Sequence, residues 1–314
     1  MAQKFSILSF LLIHLILLCS CSGDEMETTL TNLTSISWSH RTNSQSLLDE
    51  VLKSDINMIE ADIVYGVLNN DSSEEMQPIM GHPPETTSDI SLRSFLNQVL
   101  DYNKNKDISE KKGVKLDFKS TTVYKSSLPL LMELWDTMDY PVWINADIYP
   151  GPWNNTSTIP VDAQEFFDGA KKLKNAVLSP GWTTAWGYNY TDGHYTQEQV
   201  DAMINVIKEN NITNQITFPV RAGIASQSVT ELDHLYRSLN MTNAITFTLW
   251  SSVNDSVNVE KLRDMIFHFG VDKVYIDIPE ELFNQLNLDN ERNSSRLLKP
   301  LMLLSLIYLF VLIF

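Results

Sequence analysis

The sequence predicts one α/β domain, a (β/α)8 (TIM) barrel, and three observations carry that reading. Eight short apolar runs recur along the chain, bounded by Pro, Gly, Asn or Asp clusters. Longer amphipathic stretches separate them. Strands that alternate with helices in this number, within one domain, close into a parallel barrel. A doubly wound open sheet is the rival, but no Gly-rich phosphate loop follows the first strand.

The elements follow in order. The first strand is "SISWS" (35–39), followed by a helix near 44–54. The second is "MIEADIV" (58–64). Residues 69–84 break the alternation and read as a hairpin or loop inserted beside the barrel mouth. A helix near 92–104 leads to "GVKLDF" (113–118), and one near 126–138 leads to "PVWINADI" (141–148). Next come a helix near 162–172, "AVLSPG" (176–181), a helix near 196–210 and "ITFPVRA" (216–222). A helix near 228–239, "ITFTLW" (245–250), a helix near 259–269 and "KVYIDI" (273–278) complete the domain, drawn at 30–285.

Composition and the two ends bound the function. Hydrophobic residues make up 43% of the 314, enough for a core of ordinary size. A net charge of −16, with no basic patch, argues against a nucleic-acid partner. Lys4, an apolar run from Phe5 to Leu18 and the small residues Ser20, Ser22 and Gly23 read as a secretory signal peptide, 1–22. Both cysteines, Cys19 and Cys21, fall within it, so the mature domain is expected to hold no disulfide and no thiolate metal site. Asn-X-Ser/Thr sequons at Asn32, Asn70, Asn154, Asn155, Asn189, Asn211, Asn240 and Asn254 are candidate glycosylation sites, with another at Asn293. The segment 293–314 opens on Asn293, Ser294 and Ser295 and ends in "LLKPLMLLSLIYLFVLIF". It reads as a GPI signal, with a plain membrane anchor as the alternative. The expectation is a secretory-pathway glycoprotein, extracellular or at the cell surface, attached to the membrane through its C-terminus.

The chemistry is expected at the C-terminal ends of the strands. In "MIEADIV" the two-residue period turns Glu60 and Asp62 to the same side. Two like charges buried together need a cation or a proton to offset them. Asp117 on the next strand adds a third carboxylate, and hard oxygen donors of this kind suit Mg2+ or Ca2+. His40, at the end of the first strand, and His82, in the inserted loop, would flank the ion as base or nucleophile and as acid. Lys119 would pair with a substrate phosphate, and Trp250 would form an apolar wall. Arg41, Lys115, Asn145, Asp147 and Arg221 are supporting or substrate-facing candidates. The competing structural reading is a metal-free network in which Lys115 or Lys119 pairs with the acids. Trp182 is as readily core packing as ligand contact, and Asp277 can simply cap a turn. Asp62 with Asp147 could be imagined in glycoside hydrolysis, but the two histidines fit phosphate better.

From about Ile36 to Glu281 the residues resemble the menorin family, a branch of the phosphatidylinositol-phospholipase-C-like phosphodiesterase barrels. The resemblance rests on "SHRTNS", "IEADI", "PIMGHPPETTSDISL", "KGVKLDFKS", "PVWINADI", "LSPGWTT", "FPVRA", "TLW" and "GVDKVYIDIPE". The wider group includes glycerophosphodiester phosphodiesterases and sphingomyelinase D-like phospholipases. The resemblance implies catalytic histidines at His40 and His82, a Glu-x-Asp ligand pair at Glu60 and Asp62, an acid-x-Lys pair at Asp117 and Lys119, and the strand tryptophan at Trp250. It implies an enzyme acting on glycerophosphodiester or lysophospholipid head groups, or a non-catalytic component of extracellular adhesion complexes of the neuronal-patterning type. Two neighbours depart from the diesterase pattern: Thr42 stands where those enzymes have Gly, and Pro83 where they usually have Asp. Retained ligands therefore do not by themselves imply retained turnover.

Overall fold

The computed structural model describes residues 32–69, 72, 74–153, 158–187 and 191–289. The segments read as signal peptide and C-terminal tail lie outside them, as do the sequons at Asn70, Asn154, Asn155, Asn189 and Asn293. Asn32, Asn211, Asn240 and Asn254 are exposed. Among the described residues no helix is long and apolar enough to cross a membrane.

Eight parallel strands form the barrel wall. In chain order they are β1 (Trp38–Ser39), β2 (Met58–Leu68), β5 (Gly113–Phe118), β6 (Val142–Pro150), β7 (Val177–Thr183), β8 (Ile216–Arg221), β9 (Ile245–Trp250) and β10 (Val274–Asp277). Each pairs with the next in that sequence. Around them lie α1 (Gln45–Val51), α2 (Leu92–Asn103), α3 (Thr121–Leu134), α4 (Ala163–Ala170), α5 (Gln197–Glu209), α6 (Ala222–Ala225), α7 (Val229–Leu239), α8 (Val259–Phe269) and α9 (Glu280–Leu286).

Alternation along the strands sets where the core sits. Ile59, Ala61 and Ile63 of β2, Val114 and Leu116 of β5, and Phe247 and Leu249 of β9 are fully buried in the hydrophobic core. The intervening residues Glu60, Asp62, Lys115, Asn145, Thr217 and Thr248 supply a polar lumen. Such lumens are more often filled by branched apolar side chains. At the N-terminal end three rings close the floor: Trp143 lies 4.7 Å from Tyr275 and 5.1 Å from Trp38 between centroids. The gap between β1 and β10 is bridged by the Leu33 amide donating to Val271 O at 2.8 Å and by a side-chain bond described below.

Of the hairpin and the loop expected at 69–84, the structure has a hairpin, whose return strand alone lies in that segment. Strand β2 runs on to Leu68, and β3 (Gln77–Met80) returns antiparallel to it, pairing Ile63 with Met80 and Gly66 with Gln77. The short β4 (Thr87–Ser88) then pairs parallel to the end of β2. Gly66 is needed there, since a Cβ would come within 2.3 Å of Thr86 O. Some boundaries differ from the sequence reading. The first strand is shorter than 35–39, because Asn32 caps a single 3-10 turn at Leu33–Ser35. Helix α3 starts at Thr121 rather than 126, because Ser120 Oγ accepts from the Val123 amide at 3.3 Å. Pro129 therefore sits inside that helix rather than in its first turn. The helices α6 and α9 were not anticipated, being too short to show a helical period.

Candidate functional site

A cavity of about 820 Å³ opens at the C-terminal ends of the strands. It is lined by twelve residues singled out from the sequence: His40, Arg41, Glu60, Asp62, His82, Lys115, Asp117, Lys119, Asn145, Asp147, Arg221 and Trp250. Strand register brings the acids together. Glu60 pairs across the ladder with Lys115, and Asp62 with Asp117. Glu60, Asp62 and Asp117 each offer an oxygen, and these oxygens lie within 4.8 Å of one another.

The loop after β1 clamps this cluster. Arg41 has φ 58°, a left-handed conformation uncommon for a side-chain-bearing residue, and its amide donates to Glu60 Oε2 at 2.7 Å. The Thr42 amide donates to Glu60 O at 2.9 Å. Thr42 itself is fully buried, its hydroxyl 2.8 Å from Ser39 Oγ, so the departure from Gly is absorbed by packing. Asn43 grips Asp62 twice: Nδ2 donates to Oδ2 at 2.8 Å, and Oδ1 accepts from the Asp62 amide at 2.9 Å. The sequence reading missed Asn43, which follows His40 and Arg41 in what looks like a plain turn.

Lys119 bridges two of the acids, with Nζ 2.6 Å from Asp62 Oδ1 and 2.5 Å from Asp117 Oδ2. Burial would lower the Lys119 ammonium, but Asp117, Asp62 and Glu60 outweigh it and hold it raised. Burial would raise Asp62, yet Lys119 and then Asn43 keep it below the usual carboxylate range. Glu60 has less help: burial, then Asp62, pushes it up to about 7. The ammonium of Lys115, a residue only 3% exposed, makes no hydrogen bond or close ion pair among the described residues. Of the two lysines weighed for pairing with the acids, only Lys119 does so.

The histidines are held differently. His40 Nδ1 donates to Asp277 Oδ2 at 2.9 Å and lies 3.4 Å from Glu60 Oε2. Burial pulls its pKa down, but Glu60 and Asp277 carry it up to about 9. Asp277 thus corrects the turn-cap reading: it is 4% exposed and ties β10 to the end of β1. His82 Nδ1 lies 2.7 Å from the Pro83 carbonyl oxygen, which can only accept. His82 Nδ1 therefore carries a proton directed at that oxygen, and Nε2 is the ring nitrogen not engaged there.

The far side of the cavity belongs to β6–β9. Arg221 makes a bidentate pair with Asp255, at 2.8 and 2.7 Å, and its guanidinium lies 4.9 Å from the Trp250 ring centroid. Asp255 was not anticipated, because its loop carries no strand period. Asn145 accepts from Ser179 Oγ at 2.6 Å and so braces the wall. Trp182 is core, 2% exposed and 4.9 Å from the Tyr195 ring.

Comparison with known proteins follows the same span. The Menorin N-terminal domain profile matches residues 32–283. The chain belongs to the menorin family. It is 39% identical to human Protein FAM151B over 246 residues, which are 78% of this chain and 83% of that protein. Among solved structures, a probable tagatose 6 phosphate kinase from Sinorhizobium meliloti 1021 is 12% identical, with a TM-score of 0.40 over 74% of this chain and 60% of the kinase. The fold of this menorin-family chain rests on its own strand order rather than on that likeness.

Proposed function

We propose that this menorin-family barrel holds one divalent cation, Mg2+ or Ca2+, and acts on phosphodiesters of the glycerophosphodiester or lysophospholipid class. The observation that carries the reading is the convergence of Glu60, Asp62 and Asp117 oxygens within 4.8 Å, in a cavity that two histidines also line. The donor set fits the ion: it is all carboxylate oxygen, which suits hard cations and leaves positions for water and phosphate. Charge balance agrees. Counted as charged, Glu60, Asp62, Asp117, Asp147 and Asp277 exceed His40, Arg41, Lys115 and Lys119 by one, with Arg41 3.7 Å from Asp62.

Bound there, the cation would supply charge stabilisation to the phosphoryl oxygens. Lys119 and Lys115 would hold the same oxygens from the lumen side. His40, fixed through Nδ1 by Asp277, has Nε2 to give a proton to the leaving oxygen. His82, with Nδ1 committed to the Pro83 carbonyl, would use Nε2 of its neutral ring to take a proton from the attacking hydroxyl. The reading also carries a place for the chain: secreted through 1–22, glycosylated, and attached to the cell surface through 293–314.

One observation favours a second reading. Lys119 already bridges Asp62 and Asp117 and offsets one of their two charges, as a metal-free scaffold would require. In that case the barrel is a non-catalytic member of a cell-surface adhesion complex. A panel of phosphodiesters, assayed with Mg2+ or Ca2+ and with chelator, separates the two. Cation-dependent turnover that is lost in His40→Ala supports the enzyme. No turnover on any member, in a folded protein, supports the scaffold.

A further inference from the structure

The mouth cavity is built in two halves, and the phosphodiester reading uses only one. The cation half lies on β1, β2 and β5. The other half, on β6–β9, holds, beside the paired Arg221 and Asn145, two polar groups that bond to no other described side chain. Asp147 lines the cavity yet has no hydrogen bond or ion pair from any described side chain. Thr184 also lines it, and among the described residues its buried Oγ1 has no partner. An unpaired buried polar atom such as Thr184 Oγ1 costs about 1–3 kcal/mol, and with the half-buried Asp147 carboxylate lining the same cavity it points to a ligand that pairs both.

The backbone around Asp147 is shaped for this. The register against β7 shifts between Asp147 and Tyr149, a bulge of the kind that re-aims a side chain. The Val161 amide donates to Asp147 O at 2.8 Å and pins the bulge. Opposite stands Gly181, where a Cβ would meet Asp147 Oδ1 at 2.6 Å. A glycine on β7 thus leaves the space that the carboxylate occupies. Burial, and then Asp117, pushes Asp147 up to about 6, as expected of a carboxylate without a donor.

We propose that this half is a recognition subsite for the alcohol portion of the substrate, and that Asp147 and Thr184 select a neutral polyol. The inference rests on the phosphodiester reading. A polyol offers hydroxyl donors to the Asp147 carboxylate and both donor and acceptor to the Thr184 hydroxyl. A quaternary ammonium has no N–H to offer Asp147. The cation–aromatic contact that such a group would seek at Trp250 is already made by Arg221.

The test is calorimetric titration of the purified chain, with Mg2+ present, using sn-glycerol 3-phosphate, phosphocholine and inorganic phosphate. Glycerol 3-phosphate is expected to bind at least about 10-fold more tightly than phosphocholine. Asp147→Ala and Thr184→Val should each shrink that ratio about 5-fold, the worth of one hydrogen bond, in proteins that melt cooperatively. Equal affinities in the parent, or an unchanged ratio in Thr184→Val, overturn the polyol subsite and leave the phosphodiester reading standing. Failure of all three probes to bind, inorganic phosphate included, overturns both.

Discussion

Replacing Lys119 by methionine keeps the length of the side chain and removes the ammonium that spans Asp62 and Asp117. Those two acids are ladder partners, and their oxygens lie within 4.8 Å. At that spacing, two unit charges in an effective dielectric of about 20 repel by about 3.5 kcal/mol. Proton uptake relieves part of this, so the chelated Lys119→Met protein should lose about 3 kcal/mol. For a domain of this size that corresponds to a drop of about 6–12 °C in melting temperature. Circular dichroism melts at neutral pH read it directly. Millimolar Mg2+ or Ca2+ should restore most of the loss, because the ion takes over the charge the ammonium carried. A variant that melts with its parent in chelator, or one whose loss no divalent cation corrects, refutes the reasoning.

Other outcomes follow from the same geometry. In metal-free protein Glu60 is held near 7, above 4.5, and His40 near 9, above 6.5. Both bind protons more tightly when folded, so stability falls as pH rises from about 4.5 to 9. The melting-temperature gain on adding a divalent cation should therefore be larger at pH 8 than at pH 5; a gain independent of pH contradicts this. Asp277→Asn removes the negative charge that orients and stabilises the protonated His40 ring and can turn a donor toward Nδ1, so turnover of any phosphodiester substrate should fall at least about 100-fold while the chain stays folded. Gly181→Ala sets a Cβ 2.6 Å from Asp147 Oδ1 and 2.9 Å from Pro219 Cγ, and should cost about 1–3 kcal/mol by denaturant midpoint.

Local rules made much of this legible. The period of two in "MIEADIV" and "GVKLDF" determined which acids share the lumen, and adjacency of consecutive strands in a parallel barrel brought them together. What stayed hidden depends on contacts across the closed barrel or on exact reach. His40 and Asp277 are 237 residues apart and meet only where β1 faces β10. Lys115 and Lys119 both face the cavity, and no sequence pattern tells which ammonium reaches the acids. Asn43 acts by bonding the Asp62 side chain and amide, a role indistinguishable in sequence from that of an ordinary turn asparagine. The register shift after Asp147 leaves no mark in "PVWINADI", because it shows only in the pairing with β7.

The central claim is that one divalent cation sits among Glu60, Asp62 and Asp117. Elemental analysis of the purified chain after dialysis against Mg2+ or Ca2+ addresses it most directly, beside Glu60→Ala, Asp62→Ala prepared the same way. The account predicts one bound ion per parent chain and none in the double variant. No bound ion in the parent, or equal occupancy in both proteins, contradicts it.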